Sequence, residues 1–397
     1  MKFFVQTFGC IQNTSDSEKV RGFFLAKGDE EVKNWKDADM MIINTCVVRQ
    51  SAENRAYGLI DNVNKFNQGS NLSVALSATS PLKKGRSLNK IRIIVTGCLV
   101  GVMKKNTKKR MEAKKNFPGV DFVPMENFEI DYEPIKKFND TVLIPISYGC
   151  NNMCSYCIVP QARGSEVSRN METILTEVDE TIKNGNKKIL LIGQNVNSYG
   201  ADMSISPDPS FTLQFGGQAR GKNFGYVRMG KKRFKSLFPY LLEKVAKKDL
   251  EKVSFVSNNP WDFSDDLIEV MAKYKNIDRL IHLPFQAGDD EILKKMNRNY
   301  TKQEYLDLVK KIKDKIKDAR FTTDIIIGFP GETEEKFEET VDICKQVNFE
   351  VAYLNKYSPR PGTVSEKLYK DDVPMKVKKE RWVRLNELVN SKLVSSK

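Results

Sequence analysis

The chain has 397 residues, too many for one ordinary hydrophobic core and suited to two domains. Lys and Arg number 65 against 51 Asp and Glu, and the resulting net charge of +14 favours a polyanionic partner without naming it. Nothing resembles a signal peptide, and no apolar run approaches the roughly 20 residues of a membrane-spanning helix, so a helical membrane protein is excluded and a cytoplasmic one expected.

Three apolar runs in the first third each end in a cysteine: KFFVQTFGC at Cys10, DMMIINTC at Cys46 and IRIIVTGC at Cys98. Each reads as a buried parallel strand. Segments 16–26 and 49–66 between them carry helical spacing, so the unit is βαβαβ and predicts an α/β, Rossmann/flavodoxin-like domain over residues 1–130. Parallel strands align their C-terminal ends, which brings three sequence-distant thiols into the crevice where open α/β sheets hold ligands. A free cysteine is also an ordinary buried residue. Three matching strand-end positions favour a shared iron–sulfur ligand set instead, and the odd total of seven cysteines speaks against a fully paired disulfide framework. Gln12, Asn13, Asn44 and Thr45 flank these cysteines as a polar lining that tunes a cluster by hydrogen bonds, or that simply caps turns. The run KKNTKKRMEAKK at 104–115 is either an RNA contact or a solvated helix face. Residues 67–90, rich in Ser, Asn and Gly, are predicted as a surface loop, and 127–141 as a linker.

From residue 142 the chain alternates strand and helix six times. Strands are predicted at 142–146, 188–192, 252–256, 279–284, 320–327 and 350–354, with helices at 171–184, 237–247, 264–274, 301–317 and 334–346. This is the pattern of an open partial TIM-type (β/α)6 barrel over residues 141–372, followed by a C-terminal helix within 373–397. In such barrels chemistry gathers at the C-terminal strand ends. The first strand is followed by C-x-x-x-C-x-x-C, and three thiolates, Cys150, Cys154 and Cys157, leave a cubane one ligand short, with an iron open to the amino and carboxylate groups of S-adenosylmethionine. A zinc knuckle completed by a distant fourth ligand is the alternative, although zinc more often shows paired C-x-x-C units. Tyr156, Gln194, Asn195, Ser257, Gln286 and Gly328 are the candidate cofactor contacts. For Gly328 to Glu332 a plain strand-to-helix turn capped by Thr333 competes with that role. His282, the single histidine, reads as a hydrogen-bonded core residue, and Cys344, at helical spacing with Phe337 and Val341, as core. Residues 201–232 form a long insertion for which disorder is favoured over an extra RNA contact.

The cysteine pattern at 150–157 on such a barrel resembles the radical SAM superfamily, and its pairing with a three-cysteine N-terminal domain is similar to the methylthiotransferases, over nearly the whole chain. The segments IGQNVNSYG (192–200), IHLPFQAGDDEILKKMNRNYT (281–301) and YSPRPGT (357–363) look like the tRNA-modifying MiaB group. The resemblance implies two 4Fe-4S clusters, an auxiliary sulfur-donating one on Cys10, Cys46 and Cys98 and an S-adenosylmethionine-binding one on Cys150, Cys154 and Cys157. It implies a methylthio group added at position 2 of dimethylallyl-adenosine in the tRNA anticodon loop, with electrons from a reducing donor such as a flavodoxin-type protein. The chemistry suits a radical, because a purine C–H is neither acidic enough for a base nor open to a nucleophile. The target base has to be splayed from the loop, a task for aromatics such as Tyr148 and Tyr156. Two alternatives stay open: methylthiolation of threonylcarbamoyl-adenosine or of a ribosomal protein, and a non-catalytic iron–sulfur RNA-binding protein. Such enzymes usually continue into a small RNA-binding TRAM domain, which this sequence is expected to lack.

Overall fold

The computed structural model describes residues 1–77, 90–128, 140–203, 226–229 and 232–391. They form two compact units, one of Met1–Lys137 with Gln161–Gly164, the other of Phe138–Pro160 with Ser165–Lys397.

In the first unit β1 (Lys2–Phe8) leads into α1 (Ile11–Ala26), and β2 (Glu30–Glu31) and β3 (Met40–Thr45) precede α2 (Gln50–Ser77). β4 (Arg92–Gly97) runs directly into α3 (Cys98–Lys105) and α4 (Thr107–Asn116) before β5 (Val120–Phe122). The sheet has the order β2-β1-β3-β4-β5 with every pairing parallel. Central β3 is buried at all six positions, as a strand covered on both faces must be. Thr45 pairs with Phe8 on one side and Gly97 on the other, so β1, β3 and β4 finish level. Phe3, Phe24, Ile42, Ile94 and Phe128 contribute to the apolar core beneath.

Two sequence expectations change here. α1 begins at Ile11 rather than at residue 16, and α2 continues to Ser77 through part of the expected loop. The cause of the second is tertiary: the Asn67 amide clasps the main chain of Ile91, donating to its carbonyl at 3.0 Å and accepting its amide at 2.9 Å. An apparent turn residue thus fastens the helix to the residue before β4. Residues 78–89 of that loop and 129–139 of the expected linker lie outside the described residues. In the basic run, α4 buries Ala113 and leaves its Lys and Arg side chains largely exposed, as either an RNA contact or a solvated face would.

The second unit opens with β6 (Val142–Pro145), β7 (Ser147–Tyr148), α5 (Val159–Arg163, shared with the first unit), β8 (Val167–Ser168), α6 (Met171–Lys183) and β9 (Lys188–Ile192). A hairpin of β10 (Tyr226–Met229) and β11 (Lys232–Lys235) precedes α7 (Phe238–Ala246), β12 (Lys252–Phe255) and α8 (Asp265–Lys273). There follow β13 (Leu280–His282), α9 (Asp290–Lys295), α10 (Lys302–Lys315), β14 (Arg320–Ile327), α11 (Glu334–Val347), β15 (Val351–Lys356), α12 (Val364–Leu368) and α13 (Met375–Leu385). The parallel sheets β6-β9-β12 and β13-β14-β15 are joined by a bridge from Val253 to Ile277, so six strands stand side by side in chain order as an open partial barrel. Helix starts are written into the sequence: Asn170, Ser264, Thr301 and Thr333 each cap a following helix through the side-chain oxygen. The insertion expected to be disordered supplies the β10–β11 pair at its end, where Tyr, Val and Phe raise strand propensity, while residues 204–225 lie outside the described residues. No described helix is long and apolar enough to cross a membrane.

Candidate functional site

At the C-terminal end of the first sheet, a buried amide network links the cysteines. Asn13 Oδ1 accepts the Cys10 amide at 3.4 Å and the Cys10 thiol at 3.5 Å, while its Nδ2 donates to Asn44 Oδ1 at 3.0 Å and to Cys98 Sγ at 3.8 Å. Asn44 donates back to the Asn13 carbonyl at 2.8 Å and to Ser17 Oγ at 2.9 Å. Only glycine serves at 97, where φ is +88° and a Cβ would lie 2.2 Å from Asn44 Oδ1. The Cys46 sulfur accepts the Val48 amide at 3.2 Å. A hydrogen bond from the Cys98 thiol holds Cys46 down to about 7, and the same bond, with burial, pushes Cys98 well above the usual thiol range. Arg163, which belongs to this unit, pairs with buried Asp16 at 2.7 Å, and its charge opposes the upward shifts of Cys98 and Cys10. Gln12 is buried with both amide atoms unpartnered, which marks a missing polar neighbour.

In the second unit Cys150, Cys154 and Cys157 lie on the loop after β7, which turns at Gly149 with φ +70°. The loop is pinned from several sides. Ser155 donates through Oγ to the Lys295 carbonyl at 2.7 Å and through N to the Met296 carbonyl at 2.9 Å, and Asn297 Nδ2 donates to the Met153 carbonyl at 2.7 Å. Burial, then Cys154, pushes Cys157 up to about 12, and burial, then Cys157, raises Cys150 further. Burial likewise raises Tyr156, whose phenol is within electrostatic reach of Cys154, Cys157 and Arg298. Buried Arg298, which the sequence reading did not single out, donates from Nη1 to Cys154 Sγ at 3.7 Å.

The strand ends around this loop carry polar atoms that lack partners. Ser147 Oγ, Asn195 Oδ1, Asn197 Nδ2, Asn258 Oδ1 and Trp261 Nε1 are buried and have no hydrogen-bond partner among the described residues. Asn195 spends its other end on Asp262, donating at 2.7 Å. Gln194 is half-buried beside it. Ser257 and Gln286 hold left-handed backbone, φ +68° and +67°, at the ends of β12 and β13. Glu166, also missed, accepts from Ser198 Oγ at 2.5 Å; burial pushes its carboxyl up to about 8, with Asp202 and Asp262 adding to the shift against that hydrogen bond. Gly328 differs from the others. Its amide donates to Glu332 Oε2 at 2.7 Å, and its φ of +72° and the Lys378 side chain against its missing Cβ account for the glycine without a ligand.

His282 bonds Thr322 Oγ1 at 2.9 Å and Asp324 Oδ2 at 3.1 Å on neighbouring β14, as a core histidine would. Cys344 is buried on α11, its thiol pushed up to about 12 by burial alone. A cavity of about 600 Å³ lies at the opposite strand ends, lined by Lys252, Arg279 and Arg320 among others, and holds none of the cysteines. Among the described residues no three His, Cys, Asp or Glu side chains are gathered for a single metal ion. An iron–sulfur core several atoms across does not need its thiolates gathered about one point, and the all-thiol donor sets, the N–H groups aimed at sulfur and the orphaned polar atoms nearby suit such a group.

Residues 144–344 match the radical SAM superfamily, and residues 2–119 match the uncharacterized protein family UPF0004. The chain is 38% identical to the tRNA-2-methylthio-N(6)-dimethylallyladenosine synthase of Clostridium botulinum (strain Okra / Type B1), over 98% of this chain and 81% of that protein. It is 37% identical to the enzyme of the same name from Petrotoga mobilis, over 98% of this chain and 83% of that one. Among solved structures, the radical S-adenosylmethionine methyltransferase TsrM of Kitasatospora setae is similar in fold, with a TM-score of 0.55 at 12% identity over 92% of this chain and 77% of that chain.

Proposed function

We infer the activity of this chain from its family: it belongs to the radical SAM superfamily and, within it, to the tRNA-2-methylthio-N(6)-dimethylallyladenosine synthases. It is a tRNA methylthiotransferase that replaces the hydrogen at position 2 of dimethylallyl-adenosine, next to the anticodon, by a methylthio group, using S-adenosylmethionine and 4Fe-4S clusters. The near full-length identity to enzymes of that name carries this reading.

We propose that Cys150, Cys154 and Cys157 hold the cluster that binds S-adenosylmethionine, and Cys10, Cys46 and Cys98 the auxiliary one. When bound, the first supplies one-electron chemistry that no side chain can provide. The protein's own groups prepare both sites. Cys157 and Cys150, held protonated by burial, release their protons on ligation, so loading is favoured by rising pH. The proton shared by Cys46 and Cys98 leaves in the same way, while Asn13 Nδ2 remains as a donor to sulfur. Asn195, Asn258, Ser147 and Trp261 offer polar atoms for the amino-acid and ribose parts of S-adenosylmethionine, with Gln194, Ser257, Gln286 and Tyr156 beside them. Burial, with Asp202 and Asp262 nearby, pushes the Glu166 carboxyl up to about 8, which favours its protonated form beside that network. Gly328 acts by shaping the turn after β14. We further propose a cytoplasmic location and a flavodoxin-type electron donor.

The test is anaerobic reconstitution with iron, sulfide and dithionite, followed by incubation with S-adenosylmethionine and tRNA carrying dimethylallyl-adenosine. The expected products are 5′-deoxyadenosine and methylthiolated nucleoside, both read by mass spectrometry. Loaded protein that makes 5′-deoxyadenosine but leaves this nucleoside unchanged refutes the tRNA reading.

A further inference from the structure

Among the described residues, Arg298 is a buried cation with no carboxylate paired to it. It follows α9 in the chain and is 7% exposed. Nη2 donates to the Pro284 carbonyl at 2.9 Å, Nη1 to Asn259 Oδ1 at 3.1 Å and Cys154 Sγ at 3.7 Å, and Nε to Tyr300 Oη at 3.3 Å. The Trp261 ring lies 4.5 Å from the guanidinium carbon and the Tyr300 ring 5.3 Å. Among the described residues no Asp or Glu pairs with it, whereas Arg381, equally buried, pairs with Glu332 at 3.0 Å and Glu334 at 2.9 Å.

Taking a guanidinium out of water costs several kcal/mol unless an opposite charge answers it. Neutral carbonyls and aromatic faces answer only part of that cost. The one group in contact with Arg298 that carries negative charge when ligated is the Cys154 sulfur. The fork is also fixed: four acceptors on four different segments leave it no other orientation, so its charge stays at that sulfur whatever the redox state.

We propose that Arg298 is the positioning residue that serves as counter-ion to the Cys154 corner of the Cys150/Cys154/Cys157 site, and that it raises the reduction potential of the group bound there. The inference rests on the assignment of these three cysteines as cluster ligands. An added electron raises the negative charge next to a fixed cation, so the reduced form gains more from Arg298 than the oxidised form does; net charge and hydrogen bonds at sulfur are the protein's means of setting such potentials.

The test uses the full chain carrying Cys10→Ala, Cys46→Ala and Cys98→Ala, so that one cluster remains, with Arg298→Gln and Arg298→Lys added separately. About four irons per chain and a reduced-cluster electron paramagnetic resonance signal in the parent are required first, and their absence sinks the ligand assignment rather than the role of Arg298. With the cluster present, Arg298→Gln is expected to lower the reduced-to-oxidised ratio at fixed poise about tenfold, ~59 mV for a one-electron couple, while Arg298→Lys stays near the parent. An unchanged midpoint in Arg298→Gln, or an equal shift in Arg298→Lys, overturns the proposal. If Arg298→Gln retains no iron, thermal melting decides: the proposal requires the chelator-stripped forms of parent and variant to melt alike, and a stripped variant that melts well below the stripped parent overturns it.

Discussion

Glu166→Gln tests whether the polar floor of the second unit keeps a protonated carboxyl. Burial raises Glu166 from an ordinary 4.5 to about 8. The folded protein therefore holds a proton through the interval in which the unfolded chain has lost it. Stability is greatest below the unfolded value and falls as pH rises towards 8, because over that range the unfolded state binds fewer protons. The full span is 8 − 4.5 = 3.5 units, about 5 kcal/mol at 1.36 kcal/mol per unit. Between pH 5.5 and 7.5 the same two values give roughly 2 to 3 kcal/mol. Glutamine keeps the shape and the bond to Ser198 but cannot ionise, so the variant lacks this term and gains on the parent by that amount across the interval. Urea titrations of metal-free full-length protein, followed by the fluorescence of Trp261 and Trp382 in a Trp35→Phe background shared by parent and variant, measure the difference. Parallel stability curves for parent and variant, within about 0.5 kcal/mol, would refute the claim that Glu166 is held neutral.

Three further outcomes are expected. Cys157→Ala abolishes 5′-deoxyadenosine formation, whereas Cys46→Ala retains it and makes no methylthiolated nucleoside; product analysis of the two variants separates the roles of the two cysteine sets. Gly288→Ala places a Cβ 2.3 Å from the Glu339 main chain on α11 and costs about 2 kcal/mol or more in chemical denaturation, since backbone cannot step aside as a side chain can. Asp371→Ala strands the buried Lys378 ammonium, which among the described residues keeps the Tyr357 carbonyl at 3.1 Å as its hydrogen-bond acceptor, and costs about 3 kcal/mol. Lys378→Met costs less, because Asp371 is 30% exposed and rehydrates; equal losses by denaturant titration would contradict that ordering.

The barrel strands and the Thr333 cap were legible because their signals are local: apolar runs of strand length, and a Thr placed just before an amphipathic stretch. Both cysteine sets were legible as positions, since a strand end fixes where a side chain emerges. What escaped depends on distant partners. Asn67 has the look of a turn residue until Ile91 is seen against it. The first turns of α1, QNTSDSE, carry no apolar stripe and are largely buried nonetheless, because amides and carboxylates there answer Asn44 and Arg163 instead of a hydrophobic core. Arg298 and Glu166 stood inside segments already chosen for other reasons. A single charged residue shows nothing of whether its counter-charge is absent, which is the property that matters for both.

Ser257 and Gln286 sit in a conformation that glycine adopts without penalty and that costs other residues about 1 kcal/mol or more each. A protein tuned only for durability would carry glycine at both places. On the cofactor role proposed for Ser257 and Gln286, the hydroxyl and the carboxamide are worth more to this molecule than the ease they displace. Exchanging each for glycine should therefore yield a sturdier protein that handles its cofactor less well.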